Sequence, residues 1–271
     1  MTQSKKAILV TGANGGLGSA LVEISHELPG IDFIIATDIQ EEIQIKYKDN
    51  PKVIGLVMDV RSENSIKKVR DYLHEMRFTI KYLVNCAGIA RFFPISESSE
   101  KLLDNTIKVN TYGPILTVSI FLDDLIKTQG RVIQISSVSV KLPTLFQPYP
   151  NSKIALEAFS SSMKQELALH GVKLVLIRPG AINTNLVEEM KTITNPITDS
   201  KFDNKFKKFT KIAQSDIGKM VEPAEVANLV KKVLLIKNPR RIYSINKNAK
   251  ISILNLFPHS WVEYFIYNTF K

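Results

Sequence analysis

Six short runs of this chain are apolar and free of charge: Ala7–Val10, Phe33–Ala36, Val53–Val57, Tyr82–Val84, Val132–Ile135 and Leu174–Ile177. A strand that is apolar at nearly every position offers no face to water, so it must be covered on both sides. Between the runs lie segments whose apolar residues recur at helical spacing, among them Ser19–Leu28, Ser65–Met76 and Ile154–Leu169. Repeated strand–helix units with right-handed crossovers build a doubly wound parallel sheet, so the expected class is α/β. With 271 residues the chain suits one such domain and a full core.

The segment Thr11-Gly-Ala-Asn-Gly-Gly-Leu-Gly18 joins the first run directly to a helical pattern. Glycines there permit a tight turn and a close backbone approach to a pyrophosphate, whose charge then meets the helix N-terminus. Gly12, Asn14, Gly16, Leu17 and Gly18 are the candidate contacts. Asp38 follows the second run, twenty residues after Gly18. A carboxylate at that point accepts hydrogen bonds from ribose hydroxyls and repels a 2′-phosphate. Its neighbours Thr37, Ile39, Gln40, Glu41 and Glu42 include no Arg or Lys to receive one. The expected cofactor is therefore NAD.

Tyr149-Pro-Asn-Ser-Lys153 sets a phenol and an ammonium four residues apart, which makes them neighbours on one helix face. A free tyrosine titrates near pH 10, and a nearby cation is expected to bring that value down toward working pH. Pro148 and Pro150 place the tyrosine at a helix mouth. Upstream, Ile135-Ser-Ser-Val138 ends a strand and brings a hydroxyl to the carboxyl edge of the sheet, where ligands of open α/β sheets bind.

In these features, taken in order, the chain resembles the short-chain dehydrogenases/reductases in their NAD-preferring form, over roughly residues 5–240. The resemblance rests on the Thr11–Gly18 loop, Asp59-Val60, Asn85-Cys-Ala-Gly88, Asn110-Thr-Tyr-Gly113, Ser137, Tyr149 with Lys153, and Pro179-Gly180 with Thr184. It implies a Rossmann-type single domain with a C-terminal helical and aromatic extension. It also implies hydride transfer between NAD(H) and an alcohol/ketone pair, with Tyr149 as general acid/base. Lys153 would lower the tyrosine pKa and hold the nicotinamide ribose. Ser137 would bind the substrate oxygen, and Asn110 would hold a water that relays protons from Lys153. Asp59 and Val60 would meet the adenine, while Asn85, Ala87 and Gly88 would line the coenzyme cleft. Pro179, Gly180, Ile182 and Thr184 would hold the nicotinamide carboxamide. Counting back from Tyr149 reaches Ser136, whereas the strand-end context favours Ser137, and both serines stay open. Cys86 stands where a second asparagine is common.

The expected division is a dinucleotide-binding core with the catalytic residues over 1–184, a substrate lid over 185–220, the core's last helix and strand over 221–250, and an aromatic tail over 251–271. Of the net charge of +10, most falls in residues 191–271, which hold 15 Lys/Arg against 6 Asp/Glu. Within the lid, Phe202, Phe206, Phe209 and Ile212 recur at helix spacing among lysines. That pattern reads as a lid helix packed on its own protein or as a surface for anionic membrane. The tail holds Trp261, Tyr264, Phe265, Tyr267 and Phe270. It suits a lipid surface, a subunit contact or the cap of an apolar pocket, and loosely resembles the membrane-associated steroid and retinol dehydrogenase branch.

Together these features point to an apolar secondary alcohol, steroid- or lipid-like, as substrate. The alternatives are a 3-oxoacyl-carrier reductase and a non-catalytic coenzyme-binding or membrane-docking scaffold. The expected partners are a homodimeric or homotetrameric copy and a peripheral membrane contact through 201–212 and 251–271. Nucleic acid is not expected, because the aromatics are not interleaved with a basic groove. The absence of a long apolar stretch gives a cytoplasmic expectation. The single Cys86 leaves no intramolecular disulfide to form.

Overall fold

The computed structural model of the chain describes residues 4–141, 145–184, 194–215, 220–246, 253 and 257–271. Seven parallel strands form its centre: β1 (Lys5–Thr11), β2 (Phe33–Asp38), β3 (Val53–Val57), β4 (Phe78–Asn85), β5 (Arg131–Ile135), β6 (Lys173–Pro179) and β7 (Ile242–Ile245). Their order is β3-β2-β1-β4-β5-β6-β7, every neighbouring pair parallel. The chain thus winds outward twice from β1, and the reversal between β1 and β4 opens a crevice at the carboxyl ends of those strands. This is the expected Rossmann-type α/β sheet.

Each charge-free run of the sequence became a strand core, and most strands run past it. Lys5 and Lys6 extend β1 with their side chains exposed, Lys173 extends β6, and Arg131 extends β5 with its guanidinium buried and donating to Val233 O. The helices are α1 (Gly16–Ser25), α2 (Ile43–Lys46), α3 (Glu63–Glu75), α4 (Glu100–Ile107), α5 (Gly113–Ile120), α6 (Leu122–Thr128), α7 (Pro148–Ala168), α8 (Asp203–Ser215), α9 (Pro223–Leu235) and α10 (His259–Phe270). A π-helical turn, Lys108–Tyr112, joins α4 to α5.

Two apolar layers sandwich the sheet. On one face Leu17, Leu21, Val226, Val230 and Val233 of α1 and α9 pack on Ile8, Val10, Ile133, Val175 and Ile177. On the other, Ile66, Val69, Val118 and Leu125 of α3, α5 and α6 cover Ala7, Leu9, Leu83, Val132 and Leu174. A third cluster lies apart from the sheet: Phe206 and Phe209 of α8 meet Phe92 and Phe146, with Phe202 and Phe270 at its margin. The apolar stripe of the expected lid helix thus packs on its own protein. Residues 185–193 and 216–219 of that segment, and 251, 252 and 254–256 of the tail, lie outside the described residues.

Candidate active site

The glycine loop is built by close approach. Gly12 adopts φ +69°, the left-handed region that only glycine enters cheaply, and a Cβ there would stand 2.7 Å from Ala87 Cα. A Cβ on Gly18 would stand 2.0 Å from the Gly12 carbonyl. Thr11 Oγ1, at the end of β1, accepts from the backbone N–H of Cys86 and of Ala87, each at 3.1 Å, which ties the loop to the end of β4. Asp38 fixes the far side. Its carboxylate accepts from Asn14 N at 2.9 Å and Gln40 N at 3.2 Å.

These elements bound a cleft of about 550 Å³ running along the carboxyl ends of β1, β2, β4, β5 and β6. Gly12, Asn14, Gly16, Leu17, Gly18, Asp38, Asp59, Val60, Ala87, Gly88, Ser137, Tyr149, Lys153, Pro179, Gly180, Ile182 and Thr184 all line it. Residues more than a hundred apart in sequence therefore share one wall. The cleft suits a dinucleotide on two observations. The backbone loop is stripped of side chains where a Cβ would fill it. The buried Asn14 Oδ1, on the cleft wall, has no hydrogen-bond partner among the described residues.

Asn85, expected to line the cleft, and Asn110, expected to hold a relay water, both turn their side chains into the protein. Asn85 does not line the cleft, because its side chain turns inward and its amide donates to Pro114 O at 3.1 Å, pinning the start of α5. Asn110 is fully buried behind the cleft. Its Oδ1 accepts from Ile89 N at 2.9 Å, and its amide donates to Ile89 O at 2.8 Å and to Ser152 Oγ at 3.0 Å. Both polar atoms of that side chain are thus bonded to the protein's own groups. The π-helical turn around Asn110 breaks the regular ladder of carbonyl acceptors at that point.

The reactive end lies on α7 and the end of β5. Pro148 opens α7, so Tyr149 sits in its first turn and Lys153 one turn on, with Nζ 5.9 Å from the tyrosine ring centre. Lys153 Nζ donates to Ile135 O at 2.9 Å. The Ser137 side chain lies beside the Tyr149 phenol, where it favours the ionised form, and Ser139 donates to Ser137 Oγ through both its backbone N–H and its hydroxyl. Ser136 Oγ instead donates to Glu157. Of the two adjacent serines, Ser137 is the one that meets the phenol.

The expected lowering of the tyrosine pKa by Lys153 does not hold, because burial dominates both groups. It pushes the Tyr149 phenol up to about 12, against the Ser137 side chain that favours ionisation. It pushes Lys153 down to about 8, against the opposing charge of Glu157. A low-dielectric wall disfavours each charged form. Tyr149 is therefore a neutral phenol at working pH. The same burial pushes the Cys86 thiol up to about 12, which leaves it un-ionised and a poor nucleophile.

Three features escaped the sequence reading. Glu157, one turn beyond Lys153, is buried and takes hydrogen bonds from Ser136 Oγ and from Arg178 Nε and Nη2. One carboxylate thereby ties α7 to the ends of β5 and β6. Arg61 grips Asp59 through Nε and Nη2 at 2.9 and 2.8 Å and reaches Asn105 Oδ1 at 2.8 Å. Burial would raise the Asp59 carboxyl, but the Arg61 hydrogen bonds and charge hold it below its ordinary value. Lys46 of α2 donates to Ser19 Oγ at 2.5 Å and to the carbonyls of Ala13 and Asn14 at 3.3 and 3.4 Å, behind the glycine loop. Lys46 lies eight residues beyond Asp38, past the Thr37–Glu42 stretch that carries no Arg or Lys.

Comparison with known proteins bears on the family and the fold. The family model described as short chain dehydrogenase matches residues 6–194. An NADPH-dependent 3-dehydrocapnine reductase of Ornithobacterium rhinotracheale is 28% identical over 275 residues, spanning 97% of this chain and 96% of its own. An uncharacterized oxidoreductase of Bacillus subtilis, YusZ, is 31% identical over 279 residues, spanning 95% of each chain. A solved short chain dehydrogenase/reductase of Burkholderia phymatum, in complex with NAD, superposes with a TM-score of 0.77 at 18% identity, covering 97% of this chain and 96% of that one. With the motif order, the sheet topology and the matched span in agreement, the chain belongs to the short-chain dehydrogenase family of oxidoreductases.

Proposed function

We propose that the chain is an NAD-dependent oxidoreductase that interconverts an apolar secondary alcohol and its ketone, with Tyr149 as the proton-transfer group. The observation that carries this reading is the meeting of Ser137, Tyr149 and Lys153 with the glycine loop and Asp38 in one cleft. When bound, the nicotinamide ring supplies the hydride exchange. The protein does the rest. Ser137 holds the substrate oxygen beside the phenol and steadies charge that develops on it. Tyr149 O–H donates its proton to that oxygen in reduction and recovers it in oxidation. The Lys153 ammonium, held on Ile135 O, stabilises the phenolate left behind. Gly12, Asn14, Gly16, Leu17 and Gly18 would cradle the pyrophosphate, and Pro179, Gly180, Ile182 and Thr184 would orient the carboxamide.

Two features support NAD over NADP. Asp38 lines the cleft, and Lys46, which lies close enough to feel its charge, is spent on loop carbonyls and Ser19. The apolar substrate class is supported by Ala90, which lines the cleft and also packs on the Phe92, Phe146, Phe206 and Phe209 cluster. The reading includes α8 as part of a lid, assembly as a homodimer or homotetramer, and the peripheral contact through 201–212 and 251–271 developed next. It is tested by turnover of NAD and of NADP against a panel of hydroxysteroids, other apolar alcohols and short polar alcohols. NAD reduction confined to the apolar set is expected. Turnover with NADP alone, or with polar alcohols alone, would contradict it.

A further inference from the structure

Helix α10 hides one side and displays the other. Val262 is buried, and Phe270 packs against the α8 aromatic cluster. Lys208 Nζ donates to Thr269 O at 2.6 Å and lies 6.0 Å from the Phe270 ring centre, while Lys205 Nζ donates to Lys271 O. Lysines of α8 thus satisfy the last carbonyls of α10 and complement its C-terminal dipole. On the outward side Trp261, Tyr264, Phe265 and Tyr267 are 66, 70, 65 and 60% exposed. Four large aromatics turned to water on one helix are contrary to ordinary surface composition and mark a contact surface.

We propose that this aromatic face, with the neighbouring lysines of α8, docks the protein on an anionic lipid bilayer. It deepens the peripheral-contact part of the proposed function and is independent of the hydride-transfer part. Charge complementarity selects the occupant. Lys207, Lys208 and Lys211 are exposed on α8, Glu263 is the one acidic residue of α10, and the surrounding 81 residues hold 15 Lys/Arg against 6 Asp/Glu. The core of a protein–protein interface is depleted in lysine, whereas an aromatic stripe bordered by lysines matches a headgroup layer of negative charge. Indole and phenol tips carry polar groups that remain hydrated while the rings enter the acyl boundary. Contact rather than insertion follows from length: among the described residues no helix is long and apolar enough to cross a membrane. The docking face shares α8 with the aromatic cluster that Ala90 links to the cleft, so bound lipid would lie near the route of an apolar substrate.

Trp261 is the chain's only tryptophan, so its emission reports on this face alone. The full chain is titrated with vesicles of phosphatidylcholine, with or without phosphatidylserine, and followed by tryptophan emission and by flotation. The expected result is a blue shift and co-flotation with the anionic vesicles, reversed by high salt. Lys207→Glu/Lys211→Glu, with Trp261 intact, is expected to bind roughly tenfold or more weakly. Tyr264→Ser/Phe265→Ser should float less while keeping the wild-type melting temperature. Equal binding to neutral and anionic vesicles, or absence of binding to both, would overturn the proposal. So would a blue shift that appears without lipid and grows with protein concentration, which would assign the face to a second copy. Turnover measured in lipid-free buffer tests the reaction separately.

Discussion

Replacing Glu157 with glutamine keeps the side-chain size and removes the charge that joins three elements of the site. In the native protein Oε1 accepts from Ser136 Oγ and Arg178 Nε, and Oε2 accepts from Arg178 Nη2. A glutamine amide nitrogen cannot accept, so one Arg178 contact becomes donor against donor. The side chains of Arg178 and Glu157 are only 18% and 11% exposed. Breaking a buried pair by removing one partner costs about 3–5 kcal/mol. The remaining exposure puts this case at the lower end, about 3 kcal/mol, since water can partly reach the stranded guanidinium. For a domain of this size that corresponds to a fall in Tm of about 6–12 °C. Calorimetry on wild type, Glu157→Gln, Arg178→Gln and the double variant provides the test. Each single variant strands a partner, so the double should cost less than the two singles together by about 2 kcal/mol. Turnover should drop as well, because Ser136 precedes Ser137. Single losses below about 0.5 kcal/mol with an additive double would refute the claim that this pair ties α7 to the strand ends.

Asp38→Ala should weaken NAD binding by about 1.5–3 kcal/mol, roughly tenfold to a hundredfold, and narrow the gap between NAD and NADP in kcat/KM. Steady-state kinetics with both coenzymes reads this directly. The pH dependence of stability follows from Lys153, whose pKa falls from 10.5 unfolded to about 8 folded. Above pH 8 the unfolded chain binds the extra proton, so coenzyme-free protein should gain on the order of 2 kcal/mol between pH 8 and 10. Tyr149, raised from 10.0 to about 12, holds its proton longer when folded and reverses the trend above pH 10. Denaturant melts of wild type and Lys153→Met across this range should differ in slope between pH 8 and 10, and parallel curves would contradict the assignment.

The sheet was legible because charge-free runs leave no alternative to two-sided burial, and the cleft was legible because its glycines and its Tyr149/Lys153 pair are local in sequence. What was hidden is non-local or directional. Glu157 and Arg178 stand 21 residues apart on different elements, and no spacing rule links them. Asn85 and Asn110 occupy the expected elements but point into the protein, a direction set by strand alternation and by the π-helical turn at Lys108–Tyr112. Strand β7 is only half-buried along its length, so Arg241-Ile-Tyr243 lacks the uninterrupted apolar run that marks the inner strands. The acidity of Tyr149 was misjudged for a physical reason: adjacency to a cation is visible in sequence, and desolvation is not.

The central claim is that the Tyr149 phenol, and not the cleft as a whole, moves the proton. Tyr149→Phe removes one hydroxyl from a site otherwise left intact, and the paired measurement is NADH affinity by fluorescence titration alongside turnover by nicotinamide absorbance. An affinity within about threefold of wild type together with a loss of kcat of about a thousandfold or more is the predicted result. Near-native turnover by the variant would contradict the account.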